Sequence, residues 1–194
     1  PVDATLALLD DLGLGRGPLA NLLADEGPGA ALPALYRGVI DPTPVVGACR
    51  SSARPEAQRI CGLDARYPGD PSVAVALLLN HVTLDPGQAL RLDAGQLHAY
   101  LGGAGIELMG ASDNIVRAGL TVKPVDVDEL LRIAARTPLA DPVLPDTGVY
   151  ALPAAGVVLL RLDAGTSHTA VIDELAVDAA GRAWYLAPGD ELVA

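Results

Sequence analysis

The chain has 194 residues, 51% of them hydrophobic, and carries 13 Lys and Arg against 24 Asp and Glu for a net charge of −11. This is the composition of a folded globular chain and excludes the disordered and collagen-like classes; at this size roughly 70% of the unfolded chain's surface can be buried without disulfides. The acidic balance excludes a protein that tracks nucleic-acid phosphates, because there is no basic stripe to release their counterions. Phe is absent, so the core must be built from Ala, Leu and Val. The longest apolar run, Val73 to Leu79, falls far short of the roughly 20 residues of a membrane span. The first eleven residues carry acids and no basic n-region, unlike a secretory signal, so the cytoplasm is the expected compartment. Cys49 and Cys61 are too far apart for a Cys-x-x-Cys metal site and are expected to be free thiols. The chain opens at Pro1 without an initiator Met, which suggests part of a longer protein.

Residues 1–66 read as a helical segment. Asp3 can cap a helix running to Leu12 that Gly13 ends, Pro18 can start the next, and Pro55 can open another through Asp64. At the Tyr67-Pro68-Gly69-Asp70 turn the pattern shifts to short apolar runs punctuated by Gly, Pro and Asp. Strands are expected at Ala76–Leu84, Gln88–Leu92, Leu97–Leu101, Gly105–Met109 and Asp113–Arg117, as in a β-sandwich or jelly roll. Asp126 and Glu129 form a capping box ahead of Leu130, Leu131 and Ile133, so a helix is expected to end near Arg136. Residues 67–137 thus read as a β-sandwich core with its capping helix. Pro138, Pro142 and Pro145 make a stiff linker, and strands resume at Gly156–Leu162, Val171–Val177 and Arg182–Leu186, so that 138–194 is a linker with a short, incomplete β unit.

His98 is the one histidine in a dense polar stretch, Asp93-Ala94-Gly95-Gln96-Leu97-His98-Ala99-Tyr100. In a strand His98 and Tyr100 share a face, so imidazole and phenol can line one cavity. A structural histidine and a metal ligand both fit that pattern. His81, interrupting a strand, and His168, in a loop, read as surface or structural histidines. Glu107 sits between aliphatic residues, where a buried unpaired carboxylate is costly and edge exposure is the alternative. Arg117 ends a strand and is followed by small residues that allow close approach. Lys123 is the only lysine, and its ammonium suits phosphate binding or proton transfer as well as a plain surface position.

Five segments together carry a resemblance: Tyr67-Pro68-Gly69-Asp70; Leu77-Leu78-Leu79-Asn80-His81-Val82; Ala94-Gly95-Gln96-Leu97-His98-Ala99-Tyr100; Glu107-Leu108-Met109; and Ser112-Asp113-Asn114-Ile115-Val116-Arg117-Ala118-Gly119-Leu120-Thr121. In order and spacing they resemble the type I mannose-6-phosphate isomerases, zinc-dependent cupins, over residues 55–133. Gly95-x-x-His98 also resembles the second cupin motif, with Asp93 where cupins usually have Pro, and Val122 replaces the Pro that usually precedes the lysine.

The resemblance implies a mainly β, cupin jelly-roll fold preceded by helices. It implies an isomerase that interconverts mannose 6-phosphate and fructose 6-phosphate through an enediol, with zinc as cofactor and a small sugar phosphate as ligand. His98 matches the family's C-terminal zinc ligand and Arg117 its catalytic arginine. Glu107, Lys123 and Tyr100 match other active-site positions: Glu107 as base, Lys123 as a catalytic or phosphate-binding cation, and Tyr100 as a substrate contact. The family's other zinc ligands, a Gln-x-His pair and a Glu, come from an N-terminal cupin portion and are expected upstream of this chain. The chain by itself is then expected to be inactive, and the alternative is a non-catalytic cupin fragment that binds a sugar phosphate or a partner. No feature of the sequence fixes the oligomeric state.

Overall fold

The computed structural model describes residues 2–112, 114–137, 139 and 141–194. The strand expected from Asp113 and the linker expected from Pro138 therefore each begin on a residue outside the described set. The chain divides into two compact units: Pro1–Thr83, Arg91–Gly105 and Ser112–Pro142 form the first, and Leu84–Leu90, Ile106–Ala111 and Val143–Ala194 the second.

The first unit is built on helices whose starts follow from proline. Helices α2 (Pro18–Asp25), α3 (Pro28–Tyr36) and α5 (Pro55–Arg66) each place Pro in the first turn, where its missing N–H costs no helical hydrogen bond. Helix α1 (Val2–Asp11) holds Asp3 in its first turn rather than ahead of it, where the carboxylate complements the helix dipole. The chain turns out of α1 through Gly13 at φ +74°. Between α3 and α5 lies the short α4 (Thr43–Cys49). In α5, Ala57, Ile60 and Leu63 recur at helical spacing and are the buried residues, each large aliphatic side chain contributing about 1.5–3 kcal/mol by leaving water. Leu8, Leu9, Leu23, Leu35, Ile60 and Leu130 lie at the centre of one aliphatic core. The buried hydroxyl of Thr5 donates to the Leu77 carbonyl at 2.6 Å. Both cysteines are free thiols, and burial, with Cys61 as a lesser cause, pushes the Cys49 thiol up to about 11.

The Ala76–Leu84 strand does not form. A 3₁₀ turn (Ala76–Leu78), directly continuing helix α6 (Ser72–Val75), takes its first three residues, and residues 79–84 join no ladder among the described residues. Asp70 Oδ1 accepts from the Ser72 N–H at 2.9 Å and Pro71 holds φ at −60°, so the chain enters a helical turn. Leu77 is buried, and Ala76 and Leu78 pack against the same core, so this apolar run shows no periodicity with which to separate strand from helix. The Leu97–Leu101 and Gly105–Met109 segments, and residues 114–117 of the strand expected from Asp113, belong to no ladder among the described residues. Leu97 alone of the former packs on the core, and without a pairing strand the backbone groups are left to water. The capping box forms as expected: the Asp126 side chain accepts from the Glu129 N–H at 3.0 Å and starts α7 (Val127–Ile133), which ends ahead of Arg136.

The second unit consists of two-stranded antiparallel ladders: β1 (Ala89–Leu90) with β2 (Val143–Leu144), β3 (Val149–Leu152) with β4 (Val157–Leu160), β5 (Ser167–Thr169) with β8 (Glu191–Val193), and β6 (Glu174–Val177) with β7 (Ala183–Leu186). The β6–β7 register pairs Glu174 with Leu186 and Val177 with Ala183. Its turn is fixed by Asp178, whose carboxylate accepts from the N–H groups of Ala180 and Arg182, and by Gly181 at φ +78°. β1, β4, β6 and β7 fall within expected strands, whereas His168, expected in a loop, lies in β5. The fold is thus mixed, helices first and short β ladders later, and not mainly β as expected, because the stretch from residue 97 to 117 stays out of any ladder among the described residues. Among the described residues every ladder is two-stranded and none closes a barrel. No helix of the described residues is long and apolar enough to cross a membrane.

Candidate functional site

The best-defined polar arrangement of the first unit lies where the segment after Arg117 meets the Asp70-Pro71-Ser72 corner. Asp70 Oδ1 accepts from both the N–H and the hydroxyl of Ser72, at 2.9 and 2.6 Å. Its other oxygen, Oδ2, accepts from the Leu120 N–H at 2.8 Å, and Ser72 Oγ accepts from the same N–H at 3.0 Å. Leu120 adopts φ +49°, a conformation that costs a non-glycine residue about 1–2 kcal/mol and persists where neighbours enforce it. One residue earlier, Gly119 sits at φ +117°, and a Cβ there would collide with the Ser72 side chain and stand 3.0 Å from Asp70 Oδ1. One residue earlier again, the Ala118 carbonyl accepts from the Tyr36 hydroxyl. That tyrosine is 9% exposed, and burial, with the charge of Asp70 second, holds its hydroxyl protonated well above the usual range. Three consecutive residues are therefore tied to α3 and to the α6 corner.

Arg117, immediately before them, is exposed between half-buried Val116 and Ala118. Neither Arg117 nor Lys123 has an ion-pair partner among the described residues. Other cations of the chain are neutralised nearby, as Arg132 is by Glu129 at 2.6 Å and Arg161 by Asp146 at 2.5 Å. Lys123 is exposed, its N–H donating to Thr121 Oγ1 at 3.2 Å.

His98 is exposed, with Nδ1 3.0 Å from the Gln96 carbonyl. An Nδ1–H donated to that oxygen leaves Nε2 with its lone pair, the form in which imidazole binds a metal. The His98 and Tyr100 rings meet edge to face, 5.9 Å apart at 77°, although the strand expected to put them on one face does not form. Glu107 belongs to the second unit and is exposed, which decides between the two readings of its aliphatic surroundings in favour of exposure.

Zinc needs three or four protein donors. Among the described residues no three His, Cys, Asp or Glu side chains converge on a point that would hold a metal. Gln96-Leu97-His98 has the Gln-x-His spacing that the sequence reading placed only upstream, yet it adds one amide to the imidazole already counted. The described residues alone do not fit a zinc ion.

Two groups escaped the sequence reading. Asp70 stood in a quoted motif without a role, because its partner Leu120 lies fifty positions away. His168, taken for a loop residue, has Nε2 2.6 Å from Glu174 Oε2, and an acid six positions along gave no signal by itself.

The fold matches part of the fold of a solved phosphomannose isomerase. The chain superposes over 98% of its length on the apo mannose 6-phosphate isomerase of Salmonella typhimurium, with a TM-score of 0.66 at 24% identity, and covers 56% of that structure. A second structure of that enzyme, bound to its substrate (f6p) and zinc, matches with a TM-score of 0.63 at 23% identity. Curated relatives carry the same name: the chain is 46% identical over 98 residues to the probable mannose-6-phosphate isomerase of Dictyostelium discoideum, a match covering 50% of this chain and 22% of that protein. It is 52% identical over 68 residues to mannose-6-phosphate isomerase 1 of Arabidopsis thaliana, covering 35% and 16%, and 47% identical over 76 residues to the human enzyme, covering 39% and 18%. No family model matches the chain. The resemblance read from the motifs, to mannose-6-phosphate isomerases, is borne out, and the chain spans only part of the length of the proteins it matches.

Proposed function

We propose that this chain carries part of the active site of a zinc-dependent mannose-6-phosphate isomerase. The observation that supports it most is the identity of 46–52% to curated relatives of that one name. The reaction moves a proton from C2 of the open-chain aldose to C1 by way of an enediol, while the carbonyl oxygen at C1 gains a proton and the C2 hydroxyl loses one. Arg117 stabilises the oxyanion that develops in the enediolate, an interaction that acts in the transition state. Lys123 holds the phosphate or a hydroxyl, and Tyr100 contacts the sugar. Absence of a partnering carboxylate among the described residues supports both cationic roles, since a chain at −11 repels an anionic substrate unless local cations offset that field. Glu107 is the proton-transfer base on the chemistry of its carboxylate.

His98 is one zinc ligand, and the remaining donors come from outside the described residues. The finer fold, a cupin jelly roll over residues 67–137, is supported by the likeness to the Salmonella structures. Cytoplasmic placement is supported by the two free thiols. A second reading, a sugar-phosphate binder without turnover, is favoured for this chain on its own by the incomplete donor set.

The test is interconversion of mannose 6-phosphate and fructose 6-phosphate, measured with zinc on the 194-residue chain and on the full product of its coding region. Turnover by the full product supports the isomerase. Binding of fructose 6-phosphate with no turnover by either protein supports the second reading, and neither binding nor turnover overturns both.

A further inference from the structure

The segment that anchors Arg117 is built from two distant parts of the chain, and its geometry says what it does for that side chain. Asp70 and Ser72 together take up the Leu120 N–H, Tyr36 takes up the Ala118 carbonyl, and Gly119 between them leaves no room for a Cβ against Ser72. Both backbone anchors fall within three residues of Arg117, whose own side chain is exposed. The positive φ at Leu120 is a backbone state that a free loop would abandon, and the carboxylate is what holds it. A guanidinium needed at one developing charge gains most when its backbone is fixed beforehand, because loss of about 1 Å in placement is expensive in rate and cheap in binding.

We propose that Asp70, assisted by Ser72 and Tyr36, is a positioning residue that fixes the backbone of Arg117 for the isomerisation; this rests on the catalytic reading of Arg117 given above. Asp70 touches no substrate in this role and acts through the Ala118-Gly119-Leu120 segment. Asp70→Asn is nearly the same shape but turns a nitrogen donor or a weaker neutral acceptor toward the Leu120 N–H, so the anchor loosens without a cavity opening.

The experiment is a double-mutant cycle in the full zinc-loaded product of the coding region, comparing wild type, Asp70→Asn, Arg117→Ala and the double variant. Asp70→Asn is expected to lower kcat about tenfold to a hundredfold with KM for mannose 6-phosphate within about threefold and the zinc content unchanged, and to cost less than about threefold further once Arg117 is gone. A loss of the same factor in both backgrounds overturns the proposal, because Asp70 would then act independently of Arg117. If Asp70→Asn does not fold, Ser72→Ala and Tyr36→Phe replace it in the same cycle and are judged by the same coupling. A wild-type protein without isomerase activity overturns the functional reading instead. The anchor is then judged by hydrogen exchange at the Leu120 amide, which Asp70→Asn speeds at least tenfold if the anchor holds and leaves unchanged if it does not.

Discussion

The His168 imidazole donates from Nε2 to the Glu174 carboxylate at 2.6 Å, joining strands β5 and β6 by a single side-chain bridge. The other carboxylate oxygen accepts from the Val171 N–H at 3.2 Å. The hydrogen bond from His168 chiefly, then the backbone donor at Val171 and the charge on His168, hold the Glu174 carboxyl below its ordinary range against the opposing pull of desolvation. A carboxyl depressed in the folded state adds stability above its unfolded value of about 4.3, and that stability is lost as pH falls through the lower folded value. Wild type is therefore expected to melt higher than Glu174→Gln at pH 6–7, with the gap closing as the pH is taken below about 4. Thermal melts of the two proteins across that range check it, and a gap that does not narrow in acid counts against the bridge.

Arg117 and Lys123 are expected to fail in different ways. In the full product of the coding region, the role proposed for Arg117 predicts that Arg117→Ala lowers kcat about a hundredfold to a thousandfold while zinc stays bound, as removal of a group that stabilises developing charge does. If the Lys123 ammonium is the proposed phosphate contact, Lys123→Ala should act mainly on KM, because such a contact is made equally in ground and transition states. Steady-state kinetics with metal analysis separate them; near-wild-type turnover of Arg117→Ala would leave Arg117 a surface cation.

For the 194-residue chain itself, dialysis against metal-free buffer is expected to leave well under one equivalent of zinc. A single imidazole, even with Nε2 free, supplies one donor where a stable site takes three or four. Metal analysis after dialysis checks this. One tightly held zinc per chain would mean that donors converge which the described side chains do not bring together.

The parts of the fold legible in the sequence were those written within a few residues. Pro18 and Pro55 marked helix starts because proline at a first turn has a local cause, and Asp126 with Glu129 marked α7 because a capping box closes over three residues. What stayed hidden depended on distance. Ala76–Leu84 read as a strand because its opening residues, Ala76, Leu77 and Leu78, all pack on the core and show no polar face to mark a helical period. β5 and β8 are three residues each, too short for alternation to register, and pair across the β6–β7 hairpin. The motif around Arg117 was visible, while the reason for the Gly and the strained Leu behind it lay in Asp70 and Tyr36, 50 and 82 positions from their partners.

Two glycines offer opposite outcomes from the same substitution. Gly62 lies in the middle of α5, exposed, with no positive φ and no atom within 4 Å of the point where a Cβ would stand. Gly62→Ala removes conformational freedom from the unfolded chain and adds a better helix former, so it is expected to raise stability by about 0.4–1 kcal/mol. Gly119 stands at φ +117° with the Ser72 side chain where its Cβ would go. Gly119→Ala strains the backbone and pushes on the hydrogen-bonded pair of Ser72 and Asp70, and is expected to lower stability by about 1–3 kcal/mol. Chemical denaturation of both variants beside wild type reads the two signs together. A Gly119→Ala protein as stable as wild type would mean that the backbone here relaxes freely, and the anchoring of the Arg117 segment would fall with it.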